Sequence, residues 1–174
     1  MSDQHVPDDY YWYALYVKSR HEFSVLDRLS RAGIETFLPS VERLSRWKDR
    51  KKLIHYPLFP GYIFVHIRRV TSDIMTVLKT PGVVRFLGFE PRNPEVIPDE
   101  QIYSLKRLIE SKEQIDPYPY IKEGQVVSVK KGPLTGATGI LIKKEDRHFF
   151  VVSIDILKRS VAVKIDASDV EAVT

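Results

Sequence analysis

The stretch YPLFPGYIFV, residues 56–65, decides how the first half of the chain folds. Two prolines and a glycine come just before a bulky apolar run. This pattern is typical of a β-strand entered through a sharp turn. Side chains alternate between the faces of a strand, so one face carries Ile63, Val65 and Ile67, and the other carries Tyr62, Phe64 and His66. The aliphatic face predicts a core. The aromatic face either lies under helices or forms an interface with a partner.

A second aromatic segment, YYWYALYVK at residues 10–18, is too short for a typical helix and predicts a strand. Its alternation places Trp12, Ala14 and Tyr16 on one face and Tyr13, Leu15 and Val17 on the other. If this strand pairs with the first one, Tyr16 and Ala14 join the aromatic face.

The residues after this strand predict a helix. Ser19 and Glu22 have the spacing of a capping box, in which each side chain bonds the backbone N–H of the other residue. Phe23, Leu26 and Leu29 follow at helical spacing, and Gly33 is a typical C-terminal stop.

Further along the chain, the patterns predict two domains joined by a linker. Strands at 34–39 and 83–88, a basic hairpin or loop at 40–57 and helices near 72 and 98 complete an α+β sandwich with a mainly antiparallel sheet. Residues 111–120 contain two prolines and no amphipathic period, which favours a linker. Four or five short strands then predict a small all-β barrel. The expected boundaries are 10–110, 111–120 and 121–174.

Composition excludes several classes of protein. Hydrophobic content of 43% with 29% charged residues is typical of a globular chain, and no apolar run is long enough to span a bilayer. The chain has no cysteine, and its five histidines are scattered, so neither a thiolate nor a histidine metal site is expected. No secretory signal, phosphate-binding loop or nucleophile elbow occurs. We expect a cytoplasmic, monomeric binding protein without enzymatic activity, cofactor or membrane partner.

The positive charge is concentrated in RLSRWKDRKK, residues 43–52, where six basic residues are opposed by Asp49 alone. The formal net charge of the whole chain is +4. Such a run is either a solvated loop or a contact for a polyanion.

Four motifs in order resemble the N-terminal (NGN) domain of NusG-type transcription elongation factors: Trp12-Tyr13, the first helix, Phe59-Pro60-Gly61-Tyr62 and Pro81-Gly82-Val83. The tail, with GQVVSVKKGP at 124–133 and DASDVEAV at 166–173, resembles the SH3-like KOW domain of the same family. The resemblance covers the chain from residue 12 onward. RWKDRKK followed by PLFPGYIFV is most similar to the specialised UpxY and RfaH types, which act on particular operons.

The resemblance implies an elongation and antitermination factor that binds the clamp helices of bacterial RNA polymerase and promotes processive elongation. The positions that match the polymerase-binding face are Ala14, Tyr16, Phe59, Pro60, Tyr62 and Phe64. The positions implied for non-template or upstream DNA are Lys18, Arg20, His21, Arg28, Arg46, Lys48 and Arg50.

Some positions depart from the family pattern. Asp73-Ile74-Met75-Thr76 replaces the polar, threonine-rich patch that contacts the polymerase gate loop in RfaH. In the KOW-like tail, Leu134 and Leu157-Lys158-Arg159 replace an aromatic residue and a Phe-Gly-Arg turn. General NusG uses this region to bind the Rho factor and a ribosomal protein, so neither partnership carries over directly. The β-branched runs of the tail favour a permanent barrel over a helical form.

Two alternatives stay open. One is a general NusG-like factor that couples to Rho and the ribosome. The other, from a different class, is a ribosome- or RNA-binding KOW protein, in which aromatic rings stack on bases and basic loops hold phosphates. Such a protein would lack the domain that carries Phe59–Tyr62.

Overall fold

The aromatic strand predicted near residue 10 lies inside a four-stranded antiparallel sheet in the computed structural model, which describes residues 9–47, 50–88 and 93–173. The chain divides into two units, Met1–Ile97 and Pro98–Thr174. The strands of the first sheet, in spatial order, are β2 (Glu35–Phe37), β5 (Tyr62–Arg68), β1 (Tyr10–Val17) and β6 (Val83–Phe86). The first unit also contains helices α1 (Glu22–Arg31) and α2 (Thr71–Leu78).

One face of this sheet forms the core with the two helices. Buried side chains of β1 and β5 pack there with Val25 and Leu29 of α1 and Val77 of α2. They are the residues predicted to share one face of each strand: Tyr13, Leu15 and Val17 of β1, and Ile63, Val65 and Ile67 of β5. The predicted assignment of faces is therefore confirmed.

The capping box predicted at Ser19 and Glu22 is wrong. Helix α1 begins only at Glu22, and its N-cap, His21, makes no side-chain capping bond. Arg20 adopts a left-handed backbone conformation with φ of 64°, which turns the chain between Ser19 and the helix. The Glu22 carboxylate instead bonds a distant part of the chain.

The basic segment forms a separate two-stranded antiparallel sheet, with β3 (Ser40–Trp47) and β4 (Arg50–Pro57). Its register pairs Ser40 with Pro57 at the base and Trp47 with Arg50 near the tip. Of the two structures predicted for this segment, a hairpin or a loop, the hairpin is therefore confirmed.

The second unit combines a helix with six strands. Helix α3 (Asp99–Glu110) precedes β7 (Asp116–Tyr118), β8 (Gln125–Val129), β9 (Thr138–Lys144), β10 (Arg147–Ile154), β11 (Arg159–Ile165) and β12 (Val170–Ala172). Their order is β12-β8-β9-β10-β11-β7, and every neighbouring pair is antiparallel. Two short 3₁₀ turns, Asp155–Leu157 and Ala167–Asp169, connect the last strands. The fold is thus the expected α+β domain followed by a small, mostly β domain.

Two details differ from the expected boundaries. Helix α3 belongs to the second unit, where its polar side chains bond the sheet and the 3₁₀ turn after β10. The Ser104 hydroxyl accepts from the Thr138 N–H at 2.9 Å, and the Gln101 amide donates to Asp155 at 3.0 Å. Part of the expected linker forms β7, which pairs with β11. Sequence pattern misses β7 because Pro117 interrupts it and only its long-range partner makes it a strand.

Candidate functional site

The predicted polymerase-binding residues come from β1, β5 and the turn that enters β5. In the register of these strands, Tyr16 lies opposite Tyr62 and Ala14 lies opposite Phe64. The rings of Tyr16 and Tyr62 lie 5.8 Å apart at a tilt of 58°. Pairing of the strands therefore brings the aromatic positions together, as the alternation predicts.

Only part of this set is exposed. Ala14 and Phe64 are fully buried and Phe59 nearly so, and the Phe64 ring stacks on Phe37 at 6.1 Å. Tyr16 is 40% exposed; Pro60 is also exposed and Tyr62 is half-buried. The buried members support the sheet, whereas the exposed ones can contact a partner.

Sequence reasoning missed one side chain beside them. Arg85 of β6 lies opposite Tyr16 in the sheet, and its guanidinium carbon lies 5.8 Å from the centre of the Tyr16 ring. This distance is within the range of a cation–π interaction. No local pattern marks Arg85, because only the pairing of β6 with β1 brings it there. We call Tyr16, Pro60, Tyr62 and Arg85 the tyrosine patch.

The turn before β5 places Pro60 and Tyr62 within this patch. The Tyr62 N–H donates to the Phe59 carbonyl at 3.1 Å, and Gly61 has φ of +89°. Glycine adopts this conformation without the strain that a side chain brings. The Val17 N–H donates to the Gly61 carbonyl at 2.9 Å, which ties the turn to the end of β1.

The candidate nucleic-acid residues separate into two places. Lys18, Arg20 and His21 are exposed together before α1. Arg28 is also exposed, but its guanidinium donates to the Pro81 carbonyl at 2.9 Å, so it links α1 to the turn before β6. Arg28 therefore has a structural contact, and its role in nucleic-acid binding stays a prediction.

The second place is the basic hairpin. Arg46 and Arg50 are exposed there, and Arg46 pairs with Lys51 across the strands. Lys48 lies outside the described residues. The hairpin also carries an apolar pair among its basic residues, which sequence reasoning did not identify. Leu44 lies opposite Leu53, with 64% and 60% of their surfaces exposed.

The positions that depart from the family pattern in the tail are structural here. Leu134 and Leu157 are buried in the second unit. Lys158 has a left-handed backbone with φ of 50°, and its ammonium nitrogen lies 5.4 Å from the centre of the Tyr120 ring.

The described part of the chain offers neither a metal-binding cluster nor a membrane-spanning helix. Within residues 9–47, 50–88 and 93–173, no three histidine, aspartate or glutamate side chains come together in a way that could hold a metal ion. None of the described helices combines the length and apolar character that crossing a bilayer requires.

Comparison with known proteins agrees with the fold. The family model described as "NusG: Transcription termination factor nusG" matches residues 10–106, more than half of the 174-residue chain. The chain is 26% identical over 173 residues to the transcription termination/antitermination protein NusG of Pseudomonas aeruginosa, covering 93% of this chain and 98% of the relative. It is also 26% identical to the protein of the same name from Buchnera aphidicola, covering 88% and 86%.

A solved structure of Thermotoga maritima NusG has the same fold. It aligns with a TM-score of 0.50 and 23% identity, over 95% of this chain and 98% of that one. With the family match over β1 to α3, these likenesses lead to one conclusion: this chain belongs to the NusG family of transcription factors.

Proposed function

We propose that this protein binds the clamp helices of bacterial RNA polymerase through the tyrosine patch and promotes processive elongation. The observation that carries the proposal is the pair of exposed Tyr16 and half-buried Tyr62, on the sheet face opposite the core of a NusG-family domain. Tyrosine and arginine are enriched among residues that dominate binding energy at interfaces. A rigid sheet presents them at low entropic cost.

The buried members of the predicted set act indirectly. Ala14, Phe59 and Phe64 have almost no exposed surface, so they hold the sheet and the turn in shape. A Phe64→Ala change would leave a cavity costing about 3–5 kcal/mol. It would therefore lower folding stability as well as binding, and it does not serve as a test of docking.

The sharper test uses Tyr16→Ala/Tyr62→Ala. Purified protein is mixed with bacterial core RNA polymerase, and affinity is measured by co-elution and titration. We expect the double variant to bind at least about tenfold more weakly, since each truncated hot-spot tyrosine costs about 2 kcal/mol. Tyr103→Ala is the matched control, because Tyr103 is half-exposed and lies on α3 of the other unit.

The outcomes separate the classes of function. Loss of binding only in the double variant, followed by reduced read-through of a terminator in an elongation assay, supports the proposal. Equal binding by all three proteins moves the docking surface elsewhere. A folded intact protein that ignores the polymerase but binds RNA supports the alternative of an RNA-binding KOW protein.

The narrower part of the proposal is action on particular operons, as for the UpxY and RfaH types. It rests on the resemblance of RWKDRKK and PLFPGYIFV to those types. The exposed cations of the hairpin and of the segment before α1 can contact DNA phosphates. Phosphate contacts position a protein on DNA without reading its sequence. The test compares terminator read-through on the chain's own operon with read-through on an unrelated template, and equal effects would favour a general factor.

Binding of Rho or a ribosomal protein to the second unit is tested with each purified partner.

A further inference from the structure

The structure contains a buried carboxylate that neither the family match nor the proposed docking explains. Glu22 is the first residue of α1, and only 6% of its surface is exposed. Glutamate is almost never this buried unless a partner satisfies it.

The partner is a backbone group of the turn before β5. Glu22 Oε1 accepts a hydrogen bond from the Gly61 N–H at 3.0 Å, across 39 positions of sequence. Gly61 is itself buried, and its left-handed conformation leaves this N–H outside the sheet ladder. Buried backbone N–H groups need a partner, and Glu22 supplies it from a different element.

The same glycine is held from its other side. Its carbonyl accepts from the Val17 N–H, and a side-chain carbon added at Gly61 would lie 3.3 Å from Cε2 of the Tyr16 ring. The Gly61 N–H is thus bonded to the start of α1, its carbonyl is bonded to the end of β1, and the Tyr16 ring lies beside it. Pro60 and Tyr62, the neighbours of Gly61 in sequence, are both members of that patch.

We infer that Glu22 is a positioning residue for the tyrosine patch. Its carboxylate holds the Gly61 peptide in the orientation that presents Pro60 and Tyr62 beside Tyr16. The inference rests on the proposed function, since it concerns the shape of the same docking surface. Glu22 touches no partner itself.

If Glu22 only stabilised its own helix, its negative charge would matter and its burial would not. An acidic residue in the first turn of a helix is favourable through the helix dipole, but an exposed carboxylate does this as well as a buried one. The hydrogen bond to Gly61 requires an oxygen acceptor at this position rather than a negative charge. Glutamine retains the acceptor and alanine does not. Comparing the two variants therefore distinguishes a role in bonding Gly61 from a role of the negative charge in the helix.

The test compares the full chain with Glu22→Gln, Glu22→Ala and Asp27→Ala. Asp27 is an exposed carboxylate on the same helix that pairs locally with Arg31, so Asp27→Ala controls for loss of charge. The first readout is amide hydrogen exchange of Gly61 by NMR, expressed as a ratio to that of Leu87. The Leu87 N–H bonds the Ala14 carbonyl in the same unit, so general loosening of the unit leaves the ratio unchanged.

We expect the ratio to rise about tenfold or more in Glu22→Ala, the factor associated with losing a hydrogen bond to a charged group. Glu22→Gln should raise the ratio clearly less than Glu22→Ala does, because a neutral acceptor remains, and Asp27→Ala should stay within about threefold of the parent. An unchanged ratio in Glu22→Ala would overturn the inference.

The second readout is affinity for core RNA polymerase. Weaker binding by Glu22→Ala, restored in Glu22→Gln, supports a role in docking. A raised exchange ratio with unchanged affinity, in a preparation where Tyr16→Ala/Tyr62→Ala loses binding, overturns that role. If the intact chain does not bind the polymerase at all, the proposed function fails, and the exchange ratio alone still decides whether Glu22 positions the turn.

Discussion

Arg68 and Asp73 form a double hydrogen bond between the end of β5 and the first turn of α2. Arg68 Nε donates to Asp73 Oδ2 and Nη2 donates to Oδ1, both at 3.0 Å, and the Arg68 N–H also donates to Oδ2 at 3.1 Å. The Asp73 carboxylate is therefore engaged within the protein.

Asp73→Asn should lower stability in a pH-dependent way. The hydrogen bonds from Arg68 hold the pKa of the Asp73 carboxyl below its usual value, so ionised Asp73 stabilises the fold at neutral pH. This contribution is lost as pH falls through the depressed pKa of the folded state. We expect a loss of about 1 kcal/mol at pH 7 and a difference that begins to shrink only as pH falls below about 4, the ordinary pKa of an aspartate. Denaturant unfolding at several pH values measures it.

The control for this prediction is Asp27→Asn, which breaks an exposed ion pair with Arg31 on one helix. Such pairs contribute only about 0.3–0.5 kcal/mol. A difference between Asp73→Asn and the parent that stays constant with pH would contradict a role for the ionised carboxylate.

Tyr13→Phe should stabilise the first unit. Within the described residues, the Tyr13 hydroxyl is buried without a hydrogen-bond partner, and burial raises its pKa. Phenylalanine keeps the ring and removes the unsatisfied oxygen, which we expect to add about 1 kcal/mol. Thermal unfolding measures it. Tyr10→Phe, at an exposed position, should change little, and a destabilised Tyr13→Phe would reveal a partner for the hydroxyl.

Ser104→Ala should loosen the sheet of the second unit. Ser104 is fully buried, and its hydroxyl accepts from the Thr138 N–H. Removing it leaves that N–H without a partner, at a cost of about 1–3 kcal/mol. Amide exchange in β9 and β10 should accelerate at least about tenfold. The exposed Ser30 provides the matched control. Unchanged exchange would mean that α3 does not support this sheet.

Arg46→Ala/Arg50→Ala should weaken DNA binding in a salt-dependent way. Both side chains are exposed on the basic hairpin, and each phosphate contact contributes about 0.9 to the slope of log affinity against log salt. We therefore expect the slope to fall by about 1–2. Lys143→Ala/Lys144→Ala removes two exposed charges from the second unit and serves as the control. Equal losses from both pairs would point to net charge rather than the hairpin.

Local pattern determined most of the secondary structure and the two faces of the first sheet. Strict alternation in β1 and β5 assigned the core correctly, because side chains of a strand must point to opposite sides. The glycine of Phe59–Tyr62 likewise marked a sharp turn, since its left-handed backbone strains other residues. These features depend on neighbours in the chain and can be read from it.

Tertiary structure alone decided which side chains became a site. Glu22 has the local spacing of a capping box, yet it bonds Gly61, and Phe64 lies on the predicted docking face, yet it is buried. Arg85 joins Tyr16 only because β6 pairs with β1. In each case the deciding contact joins residues far apart in sequence. A local pattern specifies which face a side chain occupies, but packing between elements specifies its partner and its exposure.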